Sequence, residues 1–356
     1  VTLIARWLVA LVLCAGAGVM SAAVPLGAAE TFPGAMWDKA SSPEDFGWSA
    51  QKLEAADDVA RTLQTDAYLV VDRGTIVHQY GATSRPTNIH SMRKSILSVL
   101  MGIGVDRGQV DVSKTLEQLG IDDRGGLSAA ERQATVRQLL EARSGIYHPA
   151  AYETASMKAA RPARGSFAPG QHWYYNNWDF NALGTIYEKF TRKTVFEGLR
   201  DDLAKPLGFE DFDLGRDTHL VYESVSDHPA YTMRLSARDL ARIGVMMSRG
   251  GRWKDRRIVS ANWVTQSTKA HSSAGSGIGY GYLWWVGVDG WHFQARFPGS
   301  VFSARGNHGQ FVVVDPVRDL VIVHRVDSEH DSGRDVSMKQ FSELLQRILV
   351  ARLEEP

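Results

Sequence analysis

The chain has 356 residues, 44% hydrophobic and 22% charged, the balance of a globular protein with ample material for a core. Lys plus Arg and Asp plus Glu stand at 40 each, so no net field selects nucleic acid or an anionic membrane surface as a partner.

Taken in order, Arg6 precedes an uncharged run from Trp7 to Ala29 that ends in the small residues Gly27-Ala28-Ala29. This reads as a signal peptide over 1–29, followed by a single domain over 30–356. The product would be exported, periplasmic or secreted, with no stable membrane insertion after cleavage. An uncleaved anchor is the rival, since the run is long enough to span. The lone cysteine, Cys14, lies inside it. The mature chain would then have no disulfide, no thiolate nucleophile and no cysteine-ligated zinc.

Ser49-Ala50-Gln51-Lys52 opens a helix running from Lys52 to Leu63, with Ser49 as its N-cap. The runs Ala67 to Val71 and Thr75 to Tyr80 flank Asp72-Arg73-Gly74 as a hairpin. His90-Ser91-Met92-Arg93-Lys94 then delivers a serine to the first turn of a helix buried through Ile96, Leu97, Leu100, Met101 and Ile103. From about Val105 to Arg249 the signals are mostly helical, with helices expected over Phe180 to Phe190, Val195 to Ala204 and from Ser236 onward. Gly281 to Val286, Val301 to Ala304, Gln310 to Val314 and Leu320 to Val326 form an antiparallel meander, and Val336 to Leu353 a closing helix. Hairpin and meander should share one sheet, its strands drawn from about 45–88 and 265–356. A helical region over about 89–264 is inserted, with Ser91 at the seam.

No G-x-S-x-G, H-E-x-x-H or G-x-x-x-x-G-K-[ST] occurs, which removes the nucleophile elbow, the zincin helix and the P-loop. Gly102-Ile103-Gly104 lacks a third glycine, and the 11 histidines show no metal-ligand spacing. Three segments remain. Ser91 and Lys94 lie three apart, so a hydroxyl and an amine project from one side of a turn. A serine needs an adjacent base, and a lysine deprived of water can act as one. Alone the pattern is weak, because Ser49 and Lys52 repeat it. The second segment is Pro169-Gly170-Gln171-His172-Trp173-Tyr174-Tyr175-Asn176-Asn177 and the third Arg305-Gly306-Asn307-His308-Gly309-Gln310, entering the strand that ends Val314-Asp315-Pro316.

In this order the three segments resemble the serine β-lactamase and penicillin-binding superfamily in its class C-like branch. The A-R-G-x-H-G-Q and V-D-P stretches are most similar to the 6-aminohexanoate-dimer hydrolase group and related esterases. The resemblance implies an α+β, β-lactamase-like fold, with an antiparallel sheet flanked by N- and C-terminal helices and an inserted all-helical region. It also implies a serine hydrolase that forms an acyl-enzyme at Ser91, needs no cofactor or metal, and cleaves an ester or linear amide of a small molecule. Lys94 and Tyr175 would move the proton, and the motif register favours Tyr175 over Tyr174. A cationic lysine lowers a neighbouring phenol and burial lowers the lysine, so either could be the base.

By the same resemblance Asn177 would hold Lys94 or the substrate. Backbone N–H groups of Ser91 and Gln310 would form the oxyanion hole, and Asn307, His308 and Gly309 would line the substrate side. Arg305 reads as solvated, contact with a substrate carboxylate being the alternative. Asn307 stands where β-lactamases and carboxypeptidases carry a carboxylate-binding lysine, which argues against their substrates. A D-alanyl-D-alanine carboxypeptidase or weak β-lactamase is the runner-up. A cell-wall binding or sensing module, acylated without turnover, is a rival that the intact Tyr175 and Asn177 oppose.

Overall fold

The computed structural model describes residues 31–330 and 333–353. The signal expected over 1–29 lies outside them. Among the described residues no helix is long and apolar enough to cross a membrane.

Eight strands form one antiparallel sheet: β1 (Ala67–Asp72), β2 (Thr75–Gly81), β3 (Ser272–Ser273), β4 (Ile278–Tyr280), β5 (Trp285–Gly287), β6 (Phe302–Gly306), β7 (Gln310–Asp315) and β8 (Leu320–Arg325). Their order is β2-β1-β8-β7-β6-β5-β4-β3. The early hairpin and the late meander therefore share a sheet, joined where β1 pairs β8 from Ala67↔Arg325 to Asp72↔Leu320.

Every residue of β1, β7 and β8 is buried, because helices cover both faces. Successive side chains of a strand point to opposite faces, so the apolar residues divide by parity. Leu69, Val71, Val312, Val314, Val321 and Val323 enter the core shared with helices α2 (Met92–Asp106) and α4 (Ala237–Ser248). Tyr68, Val70, Phe311, Val313, Leu320 and Ile322 face α1 (Ala50–Thr62) and α5 (Met338–Leu349), through Leu53, Phe341, Leu344 and Leu345.

Helix α2 is buried from Met92 to Gly104, which suits a sequence that is apolar on nearly every side. Trp263 lies directly against it, and a Cβ on Gly102 would stand 2.3 Å from the indole. The indole N–H donates to Ser98 O at 3.0 Å, so glycine at 102 lets this ring dock the central helix.

Three expectations need correction. The helix expected from Phe180 is α3 (Asn177–Thr191), which starts earlier because the Asn176 side chain accepts from Asp179 N at 2.9 Å and caps it. The strand expected over Gly281 to Val286 begins only at Trp285, since Leu283 has φ +63 and the chain turns there. The mostly helical region also contributes Ala230–Leu235 and Thr218–Val221 to a small sheet that Thr87–Asn88, just ahead of it, completes, in the order Thr87–Asn88, Ala230–Leu235, Thr218–Val221.

Candidate active site

Ser91 reaches its position through a sharp turn. His90 has φ +48, a left-handed conformation rare for a side-chain-bearing residue. Two contacts hold it there: His90 N donates to Asn88 Oδ1 at 2.8 Å, and His90 Nε2 lies 2.8 Å from Ser328 Oγ. Ser91 is already helical at φ −73, ψ −8, and its side chain makes no capping bond. Ser49, the other copy of the pattern, does cap its helix. Identical spacing thus yields a structural serine in one place and an unspent hydroxyl in the other.

That hydroxyl faces an amine. Lys94 Nζ lies 2.8 Å from Ser91 Oγ and 2.8 Å from the Tyr175 hydroxyl, so segments 81 residues apart meet at one nitrogen. Tyr174 points elsewhere, its hydroxyl donating to Met157 O at 2.7 Å. Lys94 is 2% exposed, and Nζ sits 4.6 Å from the Tyr175 ring centroid and 4.9 Å from that of Phe180.

Burial, assisted by the neighbouring Arg93 cation, drives the Lys94 amine well below its ordinary value. Burial also pushes the Tyr175 phenol up to about 12, against the lowering effects of Ser91 and Arg93. The expectation that a cationic lysine would lower this phenol is therefore not met. Desolvation of the phenol outweighs the lowering contributions of its neighbours. The arrangement sets an amine biased by desolvation toward giving up its proton beside a phenol that burial keeps protonated. Arg93 is 1% exposed, lies between the Tyr152 and Tyr231 rings at 5.3 and 5.2 Å, and has no hydrogen-bond partner on any guanidinium nitrogen.

The remaining expected residues divide. Asn177 lines the cavity but does not hold Lys94: its Nδ2 donates to Tyr152 O at 2.5 Å, and its buried Oδ1 has no partner. Asn307, His308 and Gly309 all border the cavity. Gly309 also accepts from the buried His324 ring, at 2.6 Å. His308 packs on His90 with ring centroids 5.0 Å apart.

Gln310 is placed differently. Its side chain donates to Val326 O at 2.6 Å, it is absent from the cavity wall, and its register partner is Gly306. Gly287 N donates to Val301 O at 2.8 Å, so alternate residues from 301 onward direct their backbone groups away from β7. That row continues past Ser303 to Arg305, whereas Gly306 and Gln310 turn toward each other and Asn307 lies in the turn between the strands. The strand edge beside Ser91 is therefore the end of β6, and a Cβ on Gly306 would stand only 3.1 Å from Ser91 N.

Arg305 is the other correction. It is 6% exposed, because Trp285 and Phe293 enclose its guanidinium at 5.1 and 4.2 Å.

These groups open onto a cavity of about 620 Å³, within the range of small-molecule sites. Two of its walls were not anticipated. Tyr152 comes from a loop without periodicity, and Trp285 was read only as a strand residue. The doublet Trp284-Trp285 was the available signal, since alternation sends one ring into the core and turns the other toward Tyr175, at 5.5 Å. Among the described residues no group of three His, Cys, Asp or Glu is gathered to hold a metal.

Beneath the site, burial raises the Asp179 carboxyl to about 8, against lowering contacts from Ser144 and Asn176. Below about pH 4 this group is protonated in both folded and unfolded chains. Between about pH 4 and pH 8 only the unfolded chain ionises, so stability falls as pH rises through that window. Asp179→Asn should raise the thermal midpoint at pH 8 relative to the native chain and leave it nearly unchanged at pH 4. Equal shifts at both values in thermal melts would show that Asp179 ionises freely when folded.

Comparison with known proteins extends this geometry. The beta-lactamase family pattern matches residues 50–345. The 6-aminohexanoate-dimer hydrolase of Paenarthrobacter ureafaciens is 26% identical over 298 residues, covering 73% of this chain and 71% of that protein. A solved structure described as a 6-aminohexanoate-dimer hydrolase from Bacillus anthracis superimposes with a TM-score of 0.67 at 18% identity, covering 92% of this chain and 91% of that one. A penicillin-binding protein from Bacillus halodurans gives 0.62 at 13% identity, over 82% and 99%.

Proposed function

This chain belongs to the beta-lactamase family, a serine-hydrolase superfamily acting on small amides and esters, and from that premise we propose that it hydrolyses an ester or linear amide through an acyl-enzyme on Ser91. The observation that carries the reading is the contact of Lys94 Nζ, at 2.8 Å, with both Ser91 Oγ and the Tyr175 hydroxyl.

The neutral Lys94 amine takes the Ser91 proton as Oγ attacks the carbonyl carbon. The Ser91 N–H at the helix start, with the outward amides at the end of β6, faces the developing oxyanion. Collapse expels the leaving group, which receives its proton from the Tyr175 hydroxyl as Lys94 returns one to the phenol oxygen. Water then repeats the sequence on the acyl carbonyl, regenerating the serine. Export belongs to the same proposal, supported by the signal pattern over 1–29.

A fluorophosphonate probe followed by peptide mass spectrometry tests both parts on protein recovered from an expressing culture. The expected result is one adduct, on Ser91, in a chain whose N-terminus has lost the leader. Labelling elsewhere sinks the nucleophile assignment, and an intact leader sinks cleavage.

A further inference from the structure

Four deeply buried arginines invite comparison. Arg242 pairs with Glu210 at 2.8 Å, and Arg325 is surrounded by the backbone carbonyls of Leu235, Thr87 and Asn88. Arg93 has no hydrogen-bond partner, but it is sealed behind Tyr152 and does not border the cavity. Arg305 alone of the four combines a cavity-facing position with no anion.

Its contacts are neutral. Nε donates to Ser303 Oγ at 3.0 Å, Nη1 to Met338 Sδ at 3.4 Å, and Nη2 lies 3.3 Å from His292 Nε2. Burial keeps His292 uncharged, and it lowers Arg305 itself to about 9 with no carboxylate opposing it. No carboxylate among the described residues pairs with Arg305. Two acids on the cavity wall are engaged elsewhere, Glu153 by Arg161 and Ala150 N and Glu223 by Tyr152 N, and the third, Asp335, is exposed to solvent. A buried cation without a counter-ion is costly, and proteins normally pair such charges.

We propose that a carboxylate of the substrate supplies the missing anion, with Arg305 as its anchor. The guanidinium is held between Trp285 and Phe293, so its plane is fixed before binding, and a planar fork matches a carboxylate. Trp285 is also the wall against Tyr175, which places the anchor one aromatic ring from the proton-transfer group. The substrate class is thus an ester or amide bearing a free carboxylate. Asn307 argued against the substrates of β-lactamases and carboxypeptidases; the buried cation two residues earlier offers a carboxylate contact by a different route. This inference rests on the serine-hydrolase reading and narrows it.

Two matched substrate pairs test it, one for each side of the scissile bond. These are p-nitrophenyl hydrogen glutarate against its methyl ester, and para-acetoxybenzoate against its methyl ester. In the native chain kcat/KM should favour the carboxylate at least about tenfold in one pair, as a charge-assisted contact requires. Arg305→Met should bring that ratio to about one, and Arg305→Lys should retain part of it. A ratio near one in both pairs, or an unchanged ratio in Arg305→Met, overturns the proposal. Calorimetry on Ser91→Ala needs neither chemistry nor a folded Arg305 variant. Monomethyl glutarate should bind more tightly than dimethyl glutarate, or para-acetoxybenzoate more tightly than its methyl ester, and equal affinities in both comparisons overturn the proposal. Hydrolysis surviving in Ser91→Ala would instead sink the serine mechanism and leave the calorimetric comparison standing.

Discussion

Ser91→Ala is expected to lower kcat/KM for p-nitrophenyl acetate by about 10⁴-fold or more, while the thermal transition barely moves. The two outcomes have separate causes. In the proposed mechanism the Ser91 hydroxyl forms the covalent bond, and the amine beside it has nothing to activate once Oγ is gone. Its structural contribution is small, because it caps no backbone N–H, unlike Ser49. The backbone that starts α2 is set by the His90 turn, which the substitution leaves alone. Lys94 keeps its contact with Tyr175, so the loss of one hydrogen bond costs about 1 kcal/mol. Assays of purified variant and native chain at matched concentration, with melts on the same samples, check both halves. Turnover above a tenth of the native rate would remove Ser91 from the chemistry. A collapsed melt with equal loss of activity would make it a structural residue.

How far the sequence carried this picture depended on the kind of constraint. The shared sheet was legible because β-rich runs near both ends alternate with turn residues, and the buried helix because its apolar residues are dense. The Ser91, Lys94 and Tyr175 assignment came from three ordered motifs, since nothing local links residues 81 positions apart. Parity was harder. Whether an amide on a strand faces a ligand or a partner strand depends on pairing register, which appears only once β6 is seen between β5 and β7. That is why the resemblance led to Gln310 and not to the end of β6, which lies beside Ser91. Burial of charge was harder still. Arg305 lies in a polar-looking stretch, and its enclosure comes from Trp285, Phe293 and Met338, three elements distant in the chain. The pKa order of lysine and phenol, which the sequence left open, is hidden for the same reason, being set by desolvation more than by the neighbouring residues.

That order leads to the second large effect, in which activity and stability move in opposite directions. Lys94→Met should lower kcat/KM by about 10²–10⁴-fold, the usual contribution of a positioned general base. It should also raise the thermal midpoint at neutral pH. A lysine whose folded pKa is depressed contributes fully only above its unfolded value, near about 10.4, and progressively less as pH falls through the folded one. Below about pH 10.4 the unfolded amine holds a proton more tightly than the buried one does, so burying the lysine costs stability at neutral pH. Methionine has similar length and no charge to desolvate, so it fills the space against Tyr175 and Phe180 without that cost. In the native chain the same depression makes the amine competent only when deprotonated. The kcat/KM profile should therefore rise with pH along its acid limb, and Arg93→Met should shift that limb upward by removing the neighbouring cation. A Lys94→Met variant that melts lower and keeps its activity would mean that the amine is charged and structural, and Tyr175 would have to serve as the base.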